Sequence, residues 1–355
     1  MMFASQFQKP ILASALFLAA ASPAVFAAKS PVLAAVKTQT PITVDGQAET
    51  AWQDARFVEI LLDEIPYEPN NGYEGAKRTK VNIQALYDQE FLYMKFVWAD
   101  KTKSLARFPW EKQKDGTWKH LKNLDSTLHE NTYYEDKFAV YWNISEKGFA
   151  KKGCDKSCHI AEEGMLEGVK DSSAGRHYTL AGTLDEWHWK ATRTNVNYQM
   201  DDGYLDSEHE TNKKWGRHPD KKTGGGYYNN MSEDKSEPGW MSPATVAAAG
   251  VEPIYHLLES EKEPFVDQFQ PGDRLPGIIT APFEGPRADV EAFGYWQDGQ
   301  WTLEIKRKLV TEDDPTLDRQ FDNLNEIYYF GVTVFDNAQI AHIHHTGSIK
   351  LTFQQ

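Results

Sequence analysis

The sequence has little cysteine, no excess of positive charge and no long hydrophobic run after its first residues. Only two cysteines, Cys154 and Cys158, occur among 355 residues, and without a second cysteine pair a structural zinc site is disfavoured. The formal net charge of −14 argues against binding to nucleic acid or to anionic membrane surfaces, and favours basic or positively patched protein partners. No later stretch approaches the roughly 20 apolar residues that a membrane span requires.

The N-terminal segment is typical of a cleaved secretory signal. It contains Lys9, an apolar run of about a dozen residues that begins at Ile11, and small residues before a Val25-x-Ala27 site. Residues 1–27 are therefore interpreted as a signal peptide. We expect the remaining 328 residues in a bacterial periplasm.

Alternating apolar residues predict a mainly β protein, with strands towards both ends of the chain. Strands are predicted within 80–100, where Asp88-Gln89 marks a hairpin turn, and within 136–145, 299–309, 327–336 and 348–353. Ile42 and Val44 before Asp45-Gly46 indicate another strand that ends in a turn. We interpret the chain as one antiparallel β-sandwich domain with a few short helices.

This predicted domain extends over residues 41–355 and follows a small-residue lead-in at 28–40. Residues 160–285 are rich in Gly, Asp, Lys and aromatics with weak periodicity, which indicates a long central insertion made mostly of loops. One short helix is predicted at 242–250, where Ser242 can cap, Pro243 occupies the first turn and Gly250 ends it.

Both cysteines lie in one segment, Cys154-Asp155-Lys156-Ser157-Cys158-His159. This C-x-x-x-C-H spacing is one residue longer than the C-x-x-C-H signature of c-type haem attachment. The chemistry accounts for the grouping, because two thiols can add to the two haem vinyl groups while the following histidine binds the iron. A disulfide between Cys154 and Cys158 is the main alternative. A zinc site is less favoured, because only three ligands lie nearby.

Several segments together resemble the haem-binding domain typified by the ethylbenzene dehydrogenase γ subunit, in its c-type cytochrome branch. They include "EDKFAVYWNIS", "GFAKKGCDKSCH", "DEWHWKATRTN", "LPGIITAPF", "WTLEIKRKLVT" and "FGVTVFDNAQIAHIHHTGSIKLTF", in that order, and the likeness covers most of residues 41–353. The resemblance implies a DOMON-like β-sandwich with long haem-covering loops. It also implies one haem that carries electrons, with a molybdenum oxidoreductase or its electron acceptor as a partner by analogy.

The resemblance also implies which residues hold the haem. Cys154, Cys158 and His159 occupy the segment where the family places a methionine ligand, so we expect covalent haem c with His159 as the proximal ligand to iron. The family's second ligand, a lysine, lies near the C terminus, where this chain reads "AQIAHIHHTG". A histidine of that segment is expected as the sixth ligand: His345 first, His342 second, and His344 as a further alternative.

Other residues offer alternatives at the same site. In "EWHWK" (186–190), strand alternation puts Trp187 and Trp189 on one face and His188 and Lys190 on the other, so His188 could also reach the iron. Lys190 and Arg193 could pair with haem propionates. Weaker candidates for an iron ligand are Met165, Met200, Met231 and Met241.

The leading hypothesis is therefore a periplasmic monohaem cytochrome that moves single electrons between protein partners and catalyses no bond change itself. A carbohydrate-binding module of the family 9 type is the first alternative, because "ITVDGQAETAW" (42–52) resembles the opening of such modules. A haem-based sensor with an open iron position is the second.

Overall fold

A computed structural model describes residues 30–47, 49–65, 74–122, 132–154, 177–208, 216–242 and 254–355. Within these ranges the chain forms 21 β-strands, one short α-helix and four 3-10 turns. No helix in this part of the chain is long and apolar enough to cross a membrane. The predicted fold class, a mainly β sandwich with few short helices, is confirmed.

The strands and helices have the following bounds. The first half contains β1 Val32–Lys37, β2 Val58–Leu62, β3 Thr79–Tyr87, β4 Phe91–Ala99, β5 Trp110–Lys112, β6 Trp118–His120, β7 Lys137–Asn143, α1 Phe149–Lys152, β8 Leu184–Lys190, β9 Asp201–Leu205 and β10 Arg217–Pro219. The second half contains β11 Gly224–Asn229, β12 Trp240–Met241, β13 His256–Leu258, β14 Glu263–Pro264, β15 Arg274–Leu275, β16 Ile278–Glu284, β17 Val290–Gln297, β18 Gln300–Lys308, β19 Tyr328–Phe335, β20 Ile343–His344 and β21 Ile349–Phe353. The 3-10 turns are Thr50–Asp54, Asn195–Asn197, Glu259–Glu261 and Pro286–Ala288.

Strand β1 joins the two layers of the sandwich. One layer has the order β10-β9-β8-β7-β19-β21-β1, and the other continues from β1 through β3, β4, β18 and β17. Residues 32–35 pair with β21 and residues 36–37 pair with β3, so one six-residue strand belongs to both layers. The described residues also form three smaller sheets whose strands do not pair with the main sheet: β11-β16-β13, β12-β14 and β15-β5-β6.

The core between the layers is aromatic. Trp98 stacks on Phe138 and Trp301 at ring-centroid distances of 4.9 and 6.3 Å, and Trp142 packs on Trp187 at 5.2 Å. Alternation along the strands accounts for this core, because every second residue of β4, β7, β8 and β18 faces inward. The predicted inward sets of β4 (Leu92, Met94, Phe96 and Trp98) and of β18 (Trp301, Leu303 and Ile305) all lie in it.

The structure differs from the sequence expectations in three places. The lead-in at 28–40 contains β1, whose alternation of Leu33 and Ala35 was masked by neighbouring alanines. Residues 41–44 are not a strand, although Ile42 and Val44 are buried and the turn at Gly46 is present. The stretch 160–285 supplies β8, β9 and β10 to the main sheet. Its periodicity is weak because many of its polar residues are buried on a second face of that sheet. The helix predicted at 242–250 lies outside the described residues, apart from Ser242.

Candidate functional site

The side of β7, β8 and β19 that faces away from the core forms a second buried surface. It carries His188 of β8, Phe335 of β19, His344 of β20, and Cys154, His342 and His345 from adjoining segments; we call this surface the histidine face. All six residues are less than a tenth exposed. A sheet face so rich in imidazole and so thoroughly buried is suited to holding a metal or a cofactor.

Strand register places two of these histidines in one row. Ala139 pairs with His188 on one side and with Thr333 on the other, and Thr333 pairs with His344. The two histidines are thus three strands apart, roughly 14 Å between their backbones. Ala139 and Thr333, which lie between the two histidines, have small side chains that project little above the sheet.

Aromatic rings occupy the space beside this row. The Phe335 ring stacks on His188 at 5.5 Å and lies tilted against His342 at 4.6 Å, and the His342 ring lies 6.4 Å from that of His344. His177 adds a fourth imidazole, 5.4 Å from His342. These contacts form a continuous series of rings across the histidine face.

The first cysteine is tied to the C-terminal histidine segment. Gly153 forms a parallel bridge with Gly347, and the Ser348 hydroxyl donates to the Ala150 carbonyl at 2.6 Å. These contacts place Cys154 against β19 beside Gly331. A Cβ added at Gly331 would lie 3.1 Å from Cys154 Sγ and 3.6 Å from His345 Nε2. Cys154 and His345 are 191 residues apart in sequence, and they meet at a glycine that leaves room for the thiol.

A hydrogen-bond network with the partly exposed Arg217 fixes the tautomer of His188. The Arg217 guanidinium lies 2.7 Å from His188 Nδ1, and Arg217 Nε also donates to Glu186 at 2.6 Å. Since guanidinium can only donate, Nδ1 is the acceptor and the ring proton of neutral His188 is on Nε2. Burial, followed by the charges of Lys190 and Arg217, holds the pKa of His188 well below its usual range.

The Nε2–H of His188 is therefore a buried donor. Among the described residues it finds no hydrogen-bond partner. A buried donor without an acceptor costs about 1–3 kcal/mol, so this atom is a candidate donor to a polar ligand on the histidine face.

His342 and His345 have the same tautomer but contact different backbone groups. His342 Nδ1 lies 2.7 Å from the Ile340 carbonyl, which makes Nδ1 the donor and leaves the lone pair on Nε2. His345 Nε2 instead accepts from the Val332 backbone N–H at 3.1 Å, while its Nδ1 lies 3.2 Å from the Thr346 carbonyl. Both ring nitrogens of His345 are thus used by backbone groups. Burial, followed by His177, holds the pKa of His342 well below its usual range, so it is neutral.

Lys137 is a buried amine on the same face. Its Nζ lies 3.9 Å from the Phe335 ring centre and donates to the Gln339 carbonyl at 2.9 Å. No carboxylate of the described residues lies within ion-pair distance of it, whereas Lys190 pairs with Asp201 and Arg193 pairs with Glu135. Burial, and then the nearby Arg193, lowers the pKa of Lys137 well below its usual range. An anionic ligand would restore its charge.

The predicted site residues are distributed as follows. Cys154, His188, His342, His344 and His345 come together on the histidine face, and Lys190 and Arg193 bind protein carboxylates at its edge. Met200 lies in the core between the layers, and Met231 and Met241 pack in a separate apolar cluster. Cys158, His159 and Met165 lie outside the described residues.

Sequence reasoning missed Lys137, Arg217 and Phe335. Alternation in "DKFAVYW" puts Lys137 and Phe138 on opposite faces of β7, so the sequence predicts that Lys137 points away from the core. Arg217 had no such signal, because β10 has three residues and reaches His188 only through sheet pairing.

Known proteins similar to this chain are as follows. A family 9 carbohydrate-binding module from Caldicellulosiruptor kristjanssonii, in complex with glucose, has 10% identity and a TM-score of 0.31 over 90% of this chain and 96% of its own. The cellotriose complex of such a module from the same organism has 10% identity and a TM-score of 0.33, over 91% and 94%. These scores are too low to support an argument about function.

The comparison with protein families is more informative. A search of curated protein sequences gave no match. The family described as ethylbenzene dehydrogenase matches residues 49–347, which include the histidine face and all strands of the main sheet except β1 and β21. With so much of the chain matched, this protein belongs to the ethylbenzene dehydrogenase family.

Proposed function

We propose that this protein is an exported monohaem c-type cytochrome that transfers electrons between redox partners. The observation that supports this most directly is the contact between the two motifs. Cys154, the first thiol of C-x-x-x-C-H, lies beside Gly331 and His345 on the face that also holds His342. Membership of a family named for an oxidoreductase is consistent with this role.

The residues of the histidine face fit a haem chemically. Cys154 and Cys158 would hold it through thioether bonds, and His159 would bind the iron from the same side. The buried Nε2–H of His188 and the ammonium of Lys137 are donors without carboxylate partners among the described residues, and a haem propionate would satisfy them. Haem supplies a one-electron iron couple when bound.

His342 is the histidine that we propose as the sixth ligand. Its Nδ1 donates to a backbone carbonyl that orients the ring, and the ring packs against Phe335 among the other imidazoles of the histidine face. His345 would have to leave the Val332 N–H, and His188 would have to leave Arg217 and change tautomer. Each exchange would leave a buried polar group without its partner, which costs about 1–3 kcal/mol.

The remaining residues tune the site rather than react. Tyr141 and Arg217 both donate to the buried Glu186, which keeps Arg217 in place against His188. The electrons would pass to an oxidoreductase or its acceptor, and the net charge of −14 suits a partner with a basic docking patch.

The covalent haem is tested on protein exported from a strain that matures c-type cytochromes. We expect an intact mass increased by one haem and a pyridine haemochrome band typical of two saturated vinyl groups. Cys154→Ser should shift that band towards one unsaturated vinyl. A bare polypeptide mass, or one lighter by two protons, would overturn the proposal and leave the carbohydrate-binding alternative.

The sixth ligand is tested by two matched variants, His342→Ala and His345→Ala. We expect His342→Ala to convert a low-spin, six-coordinate spectrum into a high-spin one that binds carbon monoxide when reduced. His345→Ala should keep the low-spin spectrum and lose stability only. The opposite result would assign His345, and carbon monoxide binding by the unaltered protein would favour a sensor.

A further inference from the structure

A second cluster of titratable groups lies on the core side of β8 and β9, where the two layers of the sandwich approach each other. It consists of six aspartates, from β8, β9 and the segments that flank β10, β17 and β18, which we call the aspartate cluster: Asp185, Asp202, Asp220, Asp289, Asp313 and Asp318. One guanidinium, that of Arg307, lies among them.

Three of these carboxylates converge closely. Asp185, Asp202 and Asp318 each present an oxygen, and these oxygens lie within 4.8 Å of one another. Asp185 and Asp202 have no exposed surface and Asp318 is 2% exposed. Like charges this close and this buried repel each other strongly unless a cation or protons neutralise them.

Two of these three side chains have an oxygen without a donor. Asp185 Oδ2 accepts from the Arg319 N–H and Asp202 Oδ1 from the Gly203 N–H, both at 2.9 Å. Asp185 Oδ1 and Asp202 Oδ2 are buried and have no hydrogen-bond partner among the described residues, whereas Asp318 Oδ1 lies 3.3 Å from Arg307 NH2. Asp185 and Asp202 thus each have one buried oxygen that the described residues leave unsatisfied, and this is the independent sign of a ligand.

Arg307 does not neutralise the cluster. Its NH2 lies 3.3 Å from Asp318 and 3.4 Å from Asp289, and its NH1 donates to the Arg319 carbonyl. One positive charge faces six carboxylates in this part of the structure. Burial, followed by mutual repulsion, raises the pKa of Asp202 well above its usual range.

We propose that Asp185, Asp202 and Asp318 bind a calcium ion. Calcium takes oxygen ligands at about 2.3–2.6 Å, so two of its ligands can lie up to about 5 Å apart, as these oxygens do. The absence of histidine and cysteine from the trio disfavours zinc, and burial disfavours magnesium, which keeps several waters. The ion would join β8 and β9 of one layer to the segment after β18 of the other.

The test uses the full exported protein, freed of calcium with a chelator and then desalted. Calorimetric titration with calcium chloride should show one ion bound per chain, and the urea midpoint should rise with calcium but not with the same concentration of magnesium. Asp202→Asn should abolish both effects. The control is Asp234→Asn, an exposed aspartate that bonds only to Ser232 and Ser236 and should leave them unchanged.

The direction in which Asp202→Asn shifts the urea midpoint distinguishes neutralisation by calcium from neutralisation by protons. If the carboxylates are neutralised by protons instead, the neutral amide should leave the urea midpoint equal or higher, with no response to calcium. That result would overturn the proposal, and so would calcium binding that survives Asp202→Asn. The outcome is independent of haem, because the aspartate cluster lies on the opposite side of β8 and β9 from the histidine face.

Discussion

Replacing Arg307 with methionine should strongly destabilise the protein. The Arg307 side chain has no exposed surface, lies 5.3 Å from the Trp187 ring and donates to the Arg319 carbonyl at 2.7 Å. Methionine keeps most of the apolar stem but leaves Asp289 and Asp318 without their cation. Removing one partner of a buried ion pair costs about 3–5 kcal/mol, because the other charge stays buried.

The matched control is Lys306→Met, one residue earlier on β18. Lys306 lies on the opposite side of the strand, where it pairs with Glu291 at 3.0 Å with both side chains partly exposed. An exposed pair of this kind contributes at most about 1 kcal/mol. The two variants remove the same charge from neighbouring positions, so the difference between their free energies of unfolding reports the effect of burying the ion pair.

Urea unfolding followed by far-ultraviolet circular dichroism measures both variants, at pH 8 and at pH 5. The Arg307 variant should be the less stable by about 2–4 kcal/mol at pH 8. Burial, with Arg307 opposing it and Asp289 adding to it, raises the pKa of Asp318 to about 7, so protons replace the lost cation at pH 5 and the gap should narrow. Equal stability of the two variants at pH 8 would refute this account of the cluster.

Three further predictions concern other positions. Gly331→Val should lower the stoichiometry of covalent haem and cost about 1–3 kcal/mol in urea unfolding, because its Cβ would lie 3.1 Å from Cys154 Sγ; full attachment would contradict it. Burial, and then Glu49, raises the pKa of Glu304 to about 7. Between about pH 4.5 and 7 the native protein therefore binds a proton at Glu304 that the unfolded chain does not, so the free energy of unfolding falls as pH rises through that window. Glu304→Gln should flatten that fall in urea midpoints, and an unchanged slope would count against it. Gly225→Ala should destabilise the β11-β16 pair by at least about 1 kcal/mol in thermal unfolding, because Gly225 has φ +65° and its Cβ would lie 1.5 Å from the Pro282 carbonyl; an unchanged midpoint would disprove this.

Local alternation predicted the strand that carries both sites. In "EWHWK" it put Trp187 and Trp189 on one face and His188 and Lys190 on the other, and the structure has the tryptophans in the core and His188 on the histidine face. The hairpin of β3 and β4 was also readable, since Asp88 interrupts two clear alternating runs. Such features depend on neighbours in sequence, and the sequence contains them.

Alternation was less informative for the C-terminal histidines. It put His342 and His344 on one face and His345 on the other, yet His345 Nε2 also reaches the region of Gly331 beside Cys154. The strand there has only two residues, Ile343 and His344, so the period of two does not extend to its neighbours. The hydrogen bonds that separate His342 from His345 depend on β19, which no local pattern indicates.

The aspartate cluster was invisible in the sequence for a related reason. Alternation with Trp187 already puts Asp185 on the core side, but Asp202 looks like an ordinary polar residue of a loop-rich stretch, and only the pairing of β8 with β9 puts it opposite Trp187 on that side. Asp318 joins them because the segment after β18 packs against the other layer, which is a property of how the layers stack. Since each strand residue faces one side only, β8 can present Asp185 to a cation in the core and His188 to a cofactor on the opposite face. A change that removes one site should therefore leave the other measurable, and this makes the two proposals separable by experiment.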